Sequence, residues 1–236
     1  MKILGVESSA TSASASVVCD GKVVSLQYTN TGLTHSQTLM PMIDAALKNA
    51  GITVSDVDYL SVSNGPGSFT GIRIGVAAVK GLAFSESKKC VPVSTLEVIA
   101  KPLEAAECYA VSVMDARCMQ FYTATFDCSN GKMKRICEDR AISADELKSD
   151  LLKLDGKKII LIGDGAGVAF EALKNDVPDI SVAPHGIRYQ SASSVALCAY
   201  EKLLSDENSA IPAENVLPVY LRLSQAEREL KLKKEK

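Results

Sequence analysis

The sequence predicts an α/β protein made of two similar lobes. Patterns typical of strands alternate with patterns typical of helices along most of the 236 residues. The order strand, hairpin, strand, helix, strand, Gly-rich turn, helix occurs in the first half and returns in the second half. We interpret this repeat as an internal duplication, with a first lobe at residues 1–103 and a second at 104–236.

Composition excludes several classes of function. The chain is 47% hydrophobic, has a formal net charge of −2 and a pI of about 5.8, so it offers no basic surface for nucleic acid. No apolar run is long enough to span a membrane, and Met1-Lys2 leads into a strand, not into a signal peptide. The seven cysteines form no CxxC pair, which favours reduced thiols and predicts a cytoplasmic protein.

The first half begins with three predicted strands and a helix. Residues 3–6 precede Glu7-Ser8-Ser9, and strands at 12–18 and 22–28 flank an Asp20-Gly21 hairpin turn. Thr34 and Gln37 fit a capping box that opens a helix ending near Gly51. The next strand is expected at 57–62.

A Gly-rich stretch from Ser63 to Gly75 follows that strand. Gly65 and Gly67 can adopt positive φ, and Ser68 and Thr70 are both suitable N-caps for the next helix. A turn of this kind leaves backbone N–H groups free at a helix N-terminus, where they could hold an anion. A plain tight turn between strand and helix explains the same residues, and both interpretations stay open.

The helix expected at 71–87 is apolar nearly all round, with Arg73 and Lys80 as its charged residues before the last turn. Together with the helix at 35–50 it carries more apolar surface than one sheet covers. We predict that the two helices form a partner interface, unless these residues only fill the lobe's own core. The predicted interface residues are His35, Leu39, Met42, Ala46, Arg73, Ile74, Ala77 and Ala78.

The second half repeats these features. A strand at 109–114 ends in Asp115, a hairpin turn lies at Asn130-Gly131, and Ser143 with Glu146 forms a capping box for a helix to about Leu154. A strand at 158–162 leads into the Gly-rich turn 163–167 and a helix to 173. A last helix is expected from Ser191, and it could return to the first lobe. Two facing lobes would place Glu7 and Asp115 on opposite sides of a cleft.

Four stretches give the chain a family resemblance. They are residues 65–75, His35-Ser36 with Leu39 and Pro41, residues 114–117, and Pro218-Val219-Tyr220-Leu221-Arg222. In these stretches the sequence resembles the TsaB (YeaZ) family of bacterial tRNA threonylcarbamoyladenosine biosynthesis, although Glu7 stands where that family more often has Asp. The resemblance implies an actin-like fold, the class that includes sugar kinases and Hsp70.

The same resemblance implies a function without catalysis of its own. The chain would be a scaffold that binds the catalytic subunit TsaD, works with TsaE and TsaC, meets tRNA through the complex and forms a homodimer when alone. In TsaD the segment after the helix equivalent to 71–87 carries an HxxxH metal motif, and here Thr95 and Ile99 stand at its two histidine positions. We therefore predict no metal site.

The alternative is a nucleotide-dependent phosphotransferase of the same fold. No GxSxG elbow is present, and His35 and Ser36 are adjacent in sequence, which argues against a hydrolase. No resident cofactor is expected beyond weak ATP or ADP binding at a subunit interface. A vestigial nucleotide or phosphate site is predicted at Glu7, Ser8, Ser9, Gly65, Gly67, Ser68 and Asp115. The charged tail beyond Ser224 is interpreted as a solvated or frayed helix.

Overall fold

The computed structural model describes residues 1–117 and 119–222. The strands are β1 Lys2–Glu7, β2 Ala13–Cys19, β3 Lys22–Thr29, β4 Tyr59–Gly65, β5 Lys89–Ser94, β6 Cys108–Asp115, β7 Gln120–Ser129, β8 Lys132–Arg135, β9 Arg140–Ser143, β10 Ile159–Ile162, β11 Ile180–Val182 and β12 Ile211–Pro212. The helices are α1 His35–Asn49, α2 Phe69–Glu86, α3 Thr95–Ala100, α4 Ala144–Leu151, α5 Ala166–Leu173, α6 His185–Arg188 and α7 Ala192–Ser205. The charged tail predicted beyond Ser224 lies outside the described residues.

The strands form two sheets with the same internal order. The first runs β12-β5-β4-β1-β2-β3, and the second runs β11-β10-β6-β7-β8 with β9 also paired to β7. In each sheet the central strand is antiparallel to the next strand in sequence and parallel to the strand on its other side. The predicted duplication is confirmed.

The first sheet is covered on both faces, which explains why β1 is apolar at nearly every position. Leu4 and Val6 face a core that they share with α1 and α2. Ile3 points to the opposite face, where α7 packs. Gly5 permits this close packing, because a Cβ there would overlap the carbonyl oxygen of Ala192. The last helix therefore lies against the first sheet.

The second sheet also separates two cores. Val111 and Val113 of β6 face α4 and α5. Ala110 and Met114 of the same strand face the other side, which α3 covers with Leu96. The alternation follows the two-residue period of a strand.

Two local predictions need correction. Thr34 is the N-cap of α1, but within the described chain its side chain accepts no capping hydrogen bond, so the predicted capping box is absent. The helix expected to reach Leu154 ends at Leu151. The capping box of Ser143 and Glu146 is confirmed. In the described part of the chain, no helix is long and apolar enough to cross a membrane.

Candidate functional site: a cleft between the lobes and a helical face

A cavity of about 620 Å³ lies between the two lobes. Parallel strands bring their carboxyl ends to one edge of a sheet, so β1 and β4 bring the loops after them together, and β6 and β10 do the same in the second lobe. The two sets of loops meet at the cavity. Its lining is Ser9, Ala10, Thr11, Gly67, Ser68, Phe69, Thr70, Met114, Asp115, Ala116, Arg117, Tyr122, Asp164 and Arg222.

Glu7 does not face this cavity, and the prediction that it opposes Asp115 across the cleft is wrong. Its carboxylate is fully buried and accepts hydrogen bonds from the backbone N–H of Ser9 at 2.6 Å, the Ser9 hydroxyl at 2.5 Å and the Ser63 hydroxyl. Burial raises the pKa of Glu7, although these three donors act in the opposite direction. The carboxylate fixes the loop after β1 from inside the lobe.

The first Gly-rich turn uses its glycines to pack against the protein's own backbone. A Cβ at Gly67 would overlap the carbonyl oxygen of Ser9, and one at Gly65 would overlap that of Val219. The Ser68 N–H donates to the Ser9 carbonyl at 2.7 Å, so it is not free to bind an anion. The backbone N–H of Ser68 is therefore unavailable to a phosphate group. The predicted N-cap is confirmed, since the Ser68 hydroxyl accepts a hydrogen bond from the N–H of Gly71.

Ser8 is also outside the cavity lining. It is buried and donates from its hydroxyl to the carbonyl of Gly71 at 2.9 Å. Of the predicted vestigial phosphate residues, the structure thus brings Ser9, Gly67, Ser68 and Asp115 to the cavity. Glu7, Ser8 and Gly65 are not among its lining residues.

The acidic side of the cavity comes from the second lobe. Asp115 is exposed and accepts a hydrogen bond from the N–H of Arg117 at 2.7 Å. Asp164, in the second Gly-rich turn, has a pKa raised to about 6, chiefly by burial and further by the negative charge of Asp115. Gln190 lies beside it, is fully buried, and has neither amide atom hydrogen-bonded to any described residue. Sequence reasoning selected neither Asp164 nor Gln190 as a site residue, because a single Asp or Gln carries no positional signal.

The positions that correspond to the HxxxH motif belong to the core. Thr95 is fully buried and Ile99 almost so, both within α3. Among residues 1–117 and 119–222, no group of three His, Cys, Asp or Glu side chains is placed to hold a metal ion.

The outer face of α1 and α2 is a second candidate site, and part of the predicted interface must be corrected. Leu39 and Ala46 are 1% and 0% exposed within the first lobe's core, so they offer no surface to a partner. Gly71 and Gly75 are buried as well, against Ser8. The remaining predicted residues are exposed, as Arg73 and Ala77 are, or half-buried, as His35, Met42, Ile74 and Ala78 are.

This outer face is apolar at several exposed positions. The composition of α2 suggested a helix buried on all sides, but this is wrong. Ala77 is exposed and Phe84 is 88% exposed. On and just before α1, Met40 and Leu33 are exposed as well. His35 is oriented from within the lobe, since its Nε2 lies 2.6 Å from the carbonyl oxygen of Ala10.

The duplicated sheets and the cleft between them define an actin-like fold. Component A of (R)-2-hydroxyglutaryl-CoA dehydratase from Acidaminococcus fermentans shares the fold over 86% of this chain and 99% of its own, with a TM-score of 0.51 and 12% identity. YeaZ from Pseudomonas aeruginosa is a better match, with a TM-score of 0.78 and 24% identity over 93% of this chain and 99% of its own.

The sequence comparisons give the family. The model of TsaD, tRNA N6-adenosine threonylcarbamoyltransferase, matches residues 29–230, and the chain belongs to this family. It is also similar to the tRNA threonylcarbamoyladenosine biosynthesis protein TsaB of Bacillus subtilis, with 27% identity over 228 residues that cover 96% of each chain.

Proposed function

We propose that the chain acts in tRNA threonylcarbamoyladenosine biosynthesis as a scaffold and activator that binds a TsaD-type catalytic subunit and catalyses no step itself. The observation that carries this proposal is the outer face of α1 and α2, where apolar side chains of a packed helix pair remain exposed. Soluble monomers rarely expose large apolar patches, and such patches often mark the site where a partner binds.

The geometry of the helix pair suits a related subunit. Two helices that meet an equivalent pair form a four-helix interface, which a second copy or a duplicated relative could equally provide. Ile74 and Ala78 both pack on the lobe's core and reach the surface, so a partner would extend that core outward. Small side chains such as Ala77 and Ala78 let a facing helix approach closely. We infer a heterodimer with the TsaD-type subunit and a homodimer in its absence, with TsaE, TsaC and tRNA reached through that complex.

The absence of catalysis is inferred from the side chains at the positions where chemistry would be expected. Glu7 holds its own loop, and Thr95 and Ile99 fill the core where a TsaD metal motif would lie. Threonine and isoleucine at positions 95 and 99 cannot replace the two histidine ligands of that motif.

The substitution Ala77→Glu tests the proposal. Ala77 is exposed, so the monomer can accommodate the longer side chain, whereas a helix packed against this face would bury an unpaired charge. We expect the dissociation constant of the complex with the TsaD-type subunit to rise by at least about a hundredfold, the scale of an uncompensated interfacial charge. Light scattering of the mixture at several concentrations measures complex formation, and reconstituted tRNA modification measures its functional consequence.

The matched control is Leu204→Glu, which adds the same charge at a 67% exposed position of α7. It should leave complex formation and tRNA modification unchanged. A folded Ala77→Glu protein that binds the catalytic subunit as well as the wild type does would contradict the proposal.

One observation favours the alternative, a nucleotide-dependent phosphotransferase. The cavity between the lobes has room for a nucleotide, and the N-terminus of α2 borders it with Phe69 and Thr70. Calorimetry of the isolated chain with ATP and magnesium separates the two functions. Tight binding with turnover would support the phosphotransferase, and weak or undetectable binding is what the scaffold predicts.

A further inference from the structure

The segment Leu217–Arg222, which we name the strap, crosses from the first lobe to the second. Its beginning is bound to the end of β4. The Val219 N–H donates to the carbonyl oxygen of Asn64 at 2.7 Å, and Asn64 Nδ2 donates to the carbonyl oxygen of Leu217 at 3.1 Å. The positive φ of Gly65 and the absence of a Cβ there let the Val219 carbonyl approach this closely.

Tyr220 fixes the strap to α2. Its ring stacks on Phe69 with the centroids 4.3 Å apart and an angle of 10° between the planes. Arg73 Nε donates to the Tyr220 hydroxyl at 2.7 Å, and the guanidinium carbon lies 5.5 Å from the centre of that ring. Phe69 lines the cavity and Arg73 belongs to the predicted partner interface, so Tyr220 touches both candidate sites.

The next two residues belong to the second lobe. Leu221 packs against the core cluster that contains Met114 and Tyr122. Arg222 Nη1 donates to the carbonyl oxygen of Ala116 at 2.6 Å, in the loop after β6. Both Arg222 and Ala116 line the cavity. The change of lobe therefore occurs between residues 220 and 221.

We propose that the strap is a clasp that sets the angle between the lobes and couples the cavity to the face of α2 that carries Arg73. The chain also crosses between the sheets from β5 to β6 and from β11 to α7, but the strap crosses at the cavity itself. Parting of the lobes there would break either the Arg222 bond to Ala116 or the Tyr220 stack on Phe69. Loss of the stack would free the Arg73 guanidinium, and an anion that binds Arg222 would compete with the Ala116 carbonyl. Only the consequence for a partner at Arg73 depends on the proposed function.

Amide hydrogen exchange of the isolated full chain tests the clasp. The reporters in the second lobe are the N–H groups of Ala116 and Gln120, which donate to the Gln120 and Arg117 carbonyls. The reporter in the first lobe is the Val219 N–H. We expect Tyr220→Ala to accelerate exchange in both lobes by about tenfold, the effect of losing one well-formed hydrogen bond or stack. Arg222→Ala should accelerate exchange at Ala116 and Gln120 and leave Val219 protected.

The matched control is Leu204→Ala, an exposed leucine of α7, which should change neither set of amides. Exchange at Ala116 and Gln120 that stays at the wild-type rate in Tyr220→Ala would overturn the clasp, because the strap would then be bound to the first lobe alone. No TsaD-type subunit is present in this measurement. Its failure would leave the complex test with Ala77→Glu standing, and failure of that test would leave the exchange result standing.

Discussion

At the scale of single residues, the glycines of α2 have different surroundings in the structure. Gly71 and Gly75 look like a flat face for a partner helix when only their spacing is known. In the structure both face Ser8 inside the lobe. Apart from its chain neighbours and the adjacent backbone of its own helix, Gly81 has no described atom within 4 Å of an added Cβ. Spacing identifies a face of a helix, but not the element that covers that face.

This difference gives the first prediction. Gly71→Ala should lower the free energy of unfolding by about 2–4 kcal/mol, because the new methyl overlaps the Ser8 carbonyl and neither backbone can move away freely. Gly81→Ala is the control, and it should raise the free energy of unfolding by about 0.5–1 kcal/mol through helix propensity. Urea unfolding measures both. A Gly71→Ala protein as stable as Gly81→Ala would show that the packing against Ser8 is wrong.

Asp164 gives a prediction about pH. Its pKa is raised from 3.8 in a free side chain to about 6 in the fold, so folding takes up a proton between these values. Stability from this group is complete below about pH 4 and is lost as the pH rises through about 6. Relative to Asp164→Asn, the wild type should lose on the order of 2–3 kcal/mol of unfolding free energy between about pH 4 and pH 7.

Urea unfolding at several pH values measures the difference between the two proteins, which cancels the contributions of other carboxylates. Asp44→Asn, on the exposed side of α1, is the control and should follow the wild type closely. Parallel pH profiles for wild type and Asp164→Asn would contradict the burial of this carboxyl group.

At the scale of elements, two N-caps that the sequence predicts alike differ in the structure. The Ser68 hydroxyl accepts a hydrogen bond from the N–H of Gly71, whereas Thr34 makes no such bond in the described chain. Ser68→Ala should therefore cost about 1 kcal/mol of unfolding free energy, and Thr34→Ala, the control, less than about 0.3 kcal/mol. Thermal and urea unfolding of the two variants measure these losses. An equal loss of unfolding free energy in both variants would contradict the different roles of Ser68 and Thr34 as N-caps.

Most strands and helices could be predicted because their signals are local. Three examples depend on residues within a few positions of each other. They are the alternation of serine with apolar residues in β2, the hairpin at Asp20-Gly21 and the capping box at Ser143. The orientation of Glu7 could not be predicted, because one of its three hydrogen-bond donors, the Ser63 hydroxyl, is 56 residues away in sequence. The burial of Leu39 and Ala46 could not be predicted either, since an apolar stripe on a helix looks the same whether its own sheet or a partner covers it.

At the scale of the whole molecule, the order of the chain does not follow the division into lobes. The helix α7 and the short strand β12 come after the second sheet in sequence, yet both belong to the first. The helix α7 covers Ile3, Val91 and Val93 with Val195 and Ala199, and β12 pairs with β5 at the edge of the sheet. A boundary at residue 103, which stays a prediction, would therefore cut the first lobe away from one of its covering layers. The sequence predicts a last helix from Ser191 that could return to the first lobe, and the structure packs α7 on the first sheet.

Fragments of the chain test this arrangement. A fragment of residues 1–94 contains β1–β5 with α1 and α2, but without α7 it leaves one face of a hydrophobic sheet uncovered. We expect it to be unfolded or aggregated. A fragment of residues 95–190 holds β6–β11 with α3–α6 and contains every buried residue of its two cores, so it should fold alone. Joining residues 190–222 to the first fragment through a flexible linker should restore cooperative unfolding, because α7 again covers the sheet and β12 again pairs with β5. Circular dichroism and amide exchange of the three proteins measure this, and a cooperative fold for residues 1–94 alone would show that α7 is dispensable for the first sheet.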